Sequence, residues 1–111
     1  MLPGLDVAAI RRYCEQHVPP DAIHEVRIGL VLTKGAATIV ERRAPWREDF
    51  GPEWSSQEVA RLRYTVKGGL WTLYYIDSTD RWHRYEELPP AKDIRVLLDE
   101  LDRDPTCIFW G

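Results

Sequence analysis

Arg61, Arg63, Tyr74, His83 and Tyr85 are the residues of this chain best suited to holding an anion. Guanidinium, phenol and imidazole groups together bind phosphate or carboxylate, and arginine does so with two parallel hydrogen bonds. His83 adds a group that titrates near neutral pH and can move a proton. All five fall within Val59–Tyr85, where alternation of side-chain type predicts three consecutive antiparallel strands. With Gly68-Gly69 as a two-residue turn, Val66 faces Trp71, Tyr64 faces Leu73 and Leu62 faces Tyr75. These pairs make one buried face. A symmetric turn over Asp77–Asp80 then sets Tyr75 opposite Trp82, Tyr74 opposite His83 and Thr72 opposite Tyr85. Trp82 joins the buried face on this register. Arg63, Tyr74 and His83 form a row across the other face, flanked by Arg61 and Tyr85. The competing reading of the same row is a solvated sheet face with cross-strand cation–aromatic pairs. One residue does not fit: Arg84 points toward the core, which implies an edge strand or a bulge that resets the alternation.

A second group of interest is Trp46, Arg47, Phe50 and Trp54, in the segment APWREDFGPEWSS. Its prolines, glycine and charges describe a loop, yet polar loops do not ordinarily carry three large aromatics. Folded back, they make a lid over a sheet edge; left outward, they make an interaction loop. Arg42, Arg43 and Arg47 form a basic cluster beside Trp46, and with Arg61 and Arg63 they suggest single-stranded nucleic acid as a ligand. The overall acidity and the acidic last helix weigh against that ligand.

Other chemistry is weakly supported. Cys14, His17, His24 and Cys107 lack the tight paired spacing of a zinc site, so no metal is expected. Asp77 and Asp80 share a turn, where aspartates usually bond their own backbone. No nucleophile elbow, phosphate loop, dinucleotide fingerprint or zinc protease motif occurs, so neither catalysis nor a cofactor is predicted.

The elements that must position these residues are legible from pattern. Leu5–Val18 predicts a helix, with Val7, Ile10, Cys14 and Val18 along one face and Pro19-Pro20 ending it. Ile23–Thr33 and Ala37–Arg43 predict two strands joined by a turn at Lys34-Gly35. Ala91–Asp102 predicts the last helix, because Ile94, Leu97, Leu98 and Leu101 follow the spacing of a helix laid on a sheet. The apolar end, Ile108-Phe109-Trp110, is expected to pack on the sheet or along its edge. The fold expected is α+β: a five-stranded, mainly antiparallel meander in a single domain, with both helices on one face. Tight turns between short strands leave no room for the crossovers of a parallel sheet.

Composition sets the outer bounds. A chain of 111 residues makes one domain, and 44% hydrophobic content supplies a core. A net charge of −3 argues against a protein that coats DNA. The absence of a bilayer-spanning apolar run or a signal-peptide pattern predicts no membrane partner. Cys14 and Cys107 are then read as reduced thiols of a cytoplasmic protein rather than a disulfide.

The strings RRAPWREDFGPEW, VARLRY, WTLYYIDSTDRWHRY and terminal DPTCIFWG occur in order over Arg42–Gly111. In these the chain resembles the domain-of-unknown-function 3024 family of short bacterial proteins. The resemblance implies no catalytic residue, because the family carries no assigned activity. The function expected is a small non-catalytic binding or interaction module, with a homodimer or another protein as partner. The alternative is a phosphate- or nucleic-acid-binding protein, or an enzyme, using the Arg63–Tyr74–His83 row.

Overall fold

The structure, a computed structural model, describes residues 2–45, 51 and 53–110. Its elements run α1 (Gly4–His17), β1 (Val26–Thr33), β2 (Ala36–Arg43), β3 (Ser55–Thr65), β4 (Leu70–Ile76), β5 (Trp82–Arg84) and α2 (Ile94–Arg103). The five strands form one antiparallel sheet in sequence order. The α+β meander read from the sequence is the fold observed. No helix among the described residues is long and apolar enough to cross a membrane.

Both helices pack on one sheet face. Ile10 and Cys14 of α1 and Ile94, Leu97, Leu98 and Leu101 of α2 meet Ala37, Ile39, Ala60, Leu62, Trp71 and Leu73. Trp71 is the centre of this core and is fully buried. Its indole N–H donates to Asp6 Oδ2 of α1 at 2.7 Å, and its backbone exchanges two hydrogen bonds with Ala91. Asp6 therefore does two things. It sits in the first turn of α1, where a carboxylate suits the helix dipole, and it satisfies a buried donor. Asp93 caps α2 by accepting the Arg95 N–H at 3.0 Å.

Two cysteine thiols stand free, Cys14 buried on α1 and Cys107 exposed near the end of the chain. Burial pushes the Cys14 thiol up to about 11, so it remains protonated as a core residue.

The C-terminal segment is held in two ways. Phe109 is buried against Tyr85, ring centroids 5.1 Å apart. Trp110 stacks on His17 at 3.9 Å and donates its indole N–H to Leu101 O. The expected packing of the apolar terminus is thus observed for Phe109 and Trp110, while Ile108 stays exposed.

β3 begins four residues before the expected Val59 and carries a bulge. Ile39 pairs with Ala60 and Val40 with Glu58, so Val59 is the extra residue. Val59 and Ala60 are both buried as a result, and Glu58 is re-aimed toward Arg61, 3.8 Å away.

Candidate functional site

Each side chain of the central stretch is placed by two turns. The β3–β4 turn uses four residues, Val66–Gly69, rather than two. Gly68 and Gly69 supply the positive φ values, 94° and 62°, that the chain needs to reverse. Tyr64 therefore pairs with Trp71, Leu62 with Leu73 and Arg61 with Tyr74. This shifts the expected register by two residues. An even shift keeps every side chain on its expected face, so Leu62, Trp71 and Leu73 are buried while Arg61, Arg63 and Tyr74 lie opposite. Only Val66 is displaced: it belongs to the turn and is 73% exposed rather than buried.

The β4–β5 turn has the larger consequence. It spans five residues, Asp77–Arg81, with Asp80 in the left-handed region at φ 62°. Asp77 braces it. One carboxylate oxygen accepts from Thr79 N, Thr79 Oγ1 and Arg81 N at 2.7–3.0 Å, and the other lies 2.6 Å from His83 Nε2. Ile76 then pairs with Trp82, Tyr75 with His83 and Tyr74 with Arg84. The register has moved by one residue, and every β5 side chain changes face.

The Arg63–Tyr74–His83 row is therefore not assembled. His83 lies on the helical side, its ring stacked on Tyr75 at 5.3 Å. Tyr85 follows it there, 1% exposed, and donates to Glu100 Oε2 at 2.8 Å. Burial first, and then that hydrogen bond, push the Tyr85 phenol up, which keeps it a neutral core donor. Trp82 is likewise not in the buried face, and Arg84 points away from the core. The misfit of Arg84 in the sequence was the signal of this slip.

What the structure does gather is a second sheet face that neither helix covers. Cross-strand pairing places Arg27 and Arg42 there from β1 and β2, Arg61 and Arg63 from β3, Tyr74 from β4, and Trp82 and Arg84 from β5. Among the described residues, three guanidinium groups lie over aromatic rings: Arg27 over Trp54 at 4.6 Å, Arg61 over Trp82 at 4.3 Å and Arg63 over Tyr74 at 5.8 Å. Arg61 is also fixed from below, since its Nε donates to Thr38 Oγ1 at 3.1 Å. Glu58 is the one acid that strand pairing puts on this face. Arg27, Trp54, Trp82, Arg42 and Arg84 were not part of the expected row. Of the loop residues, Trp54 meets Arg27, while Trp46, Arg47 and Phe50 lie outside the described residues.

Two concave spaces lie beside the β4–β5 turn, and others lie between the helices. One of about 740 Å³ is lined by Gln57, Val59, Asp77 and Phe109 among others. Another of about 400 Å³ is lined by His83, Glu86, Glu87, Thr106 and Ile108 among others. Asp77 and His83 stand between them. Their pairing resembles an acid–base dyad, but the four contacts of Asp77 account for it as the brace of the turn. Those contacts, Thr79 and His83 foremost, hold the Asp77 carboxyl well below the usual carboxylate range. A depressed carboxyl stabilises the fold above its unfolded pKa and loses that effect as pH falls through its folded one. Asp77→Asn is accordingly expected to melt lower than the parent at about pH 6, with the gap closing as pH falls below about 4. A gap that stays constant in thermal melts across that range would show that the charge of Asp77 does not matter.

The metal candidates do not converge. His17 is stacked on Trp110, Cys14 is buried, and His24 and Cys107 are exposed. Among the described residues no three His, Cys, Asp or Glu side chains come close enough to hold a metal ion.

No curated protein and no solved structure matches this chain. One family model does match, a domain of unknown function, over residues 3–111. The resemblance first visible over Arg42–Gly111 thus extends across α1 and the first hairpin, and the chain belongs to the DUF3024 family.

Proposed function

We propose that this chain is a non-catalytic binding module whose working surface is the helix-free sheet face and whose ligand presents phosphate groups. One observation carries the reading. Among the described strand residues, five arginines and a single acid, Glu58, share that face in a chain whose net charge is −3. Such segregation of charge creates a local positive field that the overall balance conceals. Guanidinium groups are weakly hydrated and planar, and so suit phosphate oxygens. Arg42, Arg63 and Arg84 have no carboxylate within 4.0 Å among the described residues.

Retention on heparin tests the reading. The parent chain is expected to bind at low salt and elute only as salt rises, despite its acidic isoelectric point near 5.6. The double variant Arg63→Glu with Arg84→Glu is expected to flow through. Parent chain that fails to bind at low salt, or a double variant that binds as well as the parent, would remove this function.

A further inference from the structure

We infer that the ligand of this face is single-stranded nucleic acid, with arginines on the phosphates and aromatic rings against the bases. This deepens the proposal of a phosphate-binding face and rests on it.

The arrangement of rings carries the step from phosphate to nucleic acid. A simple anion would be held by arginines alone. Here Trp82 and Tyr74 share the same surface as the cations, and each lies beside a guanidinium at 4.3 and 5.8 Å. Unstacked bases are held in this manner, by aromatic faces and guanidinium planes, with further cations tracking the backbone.

The arginines divide into two roles. Arg61 is held by Thr38 below, Glu58 beside it and the Trp82 ring, and its side chain is 31% exposed. It is a fixed platform. Arg63 and Arg84 are exposed and flank Tyr74, which places solvent-accessible cations around a ring. The surface beneath is small and closed: Ala36, Thr38 and Val40 are all buried on this side of β2. The longer arginine and aromatic side chains therefore stand above it as the groups a ligand meets.

The shape selects a single strand over a duplex. The major groove of DNA admits a helix or a two-stranded ribbon. Both helices of this protein lie on the other side of a five-stranded sheet. A flexible strand can lay its bases on such a surface where a duplex keeps them stacked inside. An acidic protein would match the charge but would not use the rings.

The test uses the full chain, an oligothymidylate of about 12 nucleotides, the matching duplex and inorganic polyphosphate. The oligothymidylate is expected to quench tryptophan fluorescence, and polyphosphate is not. Log affinity should fall linearly with log salt, with a slope of about −0.7 for each phosphate engaged. Trp82→Leu is expected to weaken oligothymidylate binding by roughly 5- to 150-fold, the effect of one lost base stack, and to weaken heparin retention far less. If that variant does not fold, quenching of the parent chain still decides the matter. Equal binding of polyphosphate without selective quenching, or a duplex that binds as tightly as the single strand, would overturn this inference and leave the phosphate-binding face standing. Absence of both heparin and oligonucleotide binding would remove both proposals together.

Discussion

Trp71→Ala is expected to lower the stability of this protein by about 3–5 kcal/mol, the usual cost of removing a buried large aromatic. A domain of this size has roughly 5–15 kcal/mol in total, so the variant stands near the limit of folding. The reason lies in what converges on one side chain. Trp71 is fully buried among core residues from both helices and from its neighbouring strands. The Tyr64 ring packs on it at 5.0 Å. Its indole N–H reaches Asp6, so the same residue ties α1 to the centre of the sheet. Urea denaturation measures the loss. Trp71→Phe separates the contributions, because it keeps most of the packing while removing the bond to Asp6. The smaller variant should therefore lose less than half as much. A cost for Trp71→Ala below about 1 kcal/mol, within the range of ordinary surface changes, would show that the core is not centred there.

Asp104→Ala is the second large effect, expected at about 2–4 kcal/mol because hydrogen bonds to a charged acceptor are worth more than neutral ones. Asp104 ends α2 with φ 40° and donates its own N–H to Glu100 O at 2.8 Å. Its carboxylate then accepts the N–H groups of Ile108, Phe109 and Trp110, at 3.0, 3.2 and 2.8 Å. No other side chain among the described residues holds so many backbone donors of this segment. Without them the segment loses the anchor that brings Phe109 onto Tyr85 and Trp110 onto His17. Two further variants resolve the causes. Asp104→Gly relieves the left-handed backbone and removes the carboxylate, whereas Asp104→Asn keeps one acceptor oxygen. If the carboxylate dominates, Asp104→Gly should remain close to Asp104→Ala and Asp104→Asn should fall between. Amide exchange at Ile108–Trp110 should speed up in step with the melting temperature lost. Unchanged exchange there would refute the anchor.

The residues of the fold and the residues of the face were not equally legible in the sequence. The spacing of Ile94, Leu97, Leu98 and Leu101 identified α2, and all four are buried as expected. The alternation in β1 and the glycine of its turn identified the first hairpin, which closes Thr33 onto Ala36. In the second hairpin the turn is two residues longer than Gly68-Gly69 alone, and an even difference leaves the pattern of faces intact. Arg61, Arg63 and Tyr74 were consequently placed together correctly. Arg27 and Trp54 could not have been joined by any local pattern, because they meet only when the sheet is formed.

The amino-acid sequence by itself determined the family, the α+β meander, the two helices and the identity of the buried face of β3 and β4. Periodicity is a local property, and β3 and β4 repeat their apolar positions often enough to define one side, whereas Ala36–Val40 of β2 are buried on both sides. Tertiary structure alone decided the partners of Arg63 and Tyr74. β5 has only three residues, too few for alternation to define a side. Its register is set instead by the turn before it, where Asp77 gathers Thr79, Arg81 and His83 and Asp80 takes the left-handed conformation. That one extra residue sends His83 to the helical side and brings Trp82 and Arg84 to the arginine face. A row suited to proton transfer is thereby replaced by a surface of cations and rings.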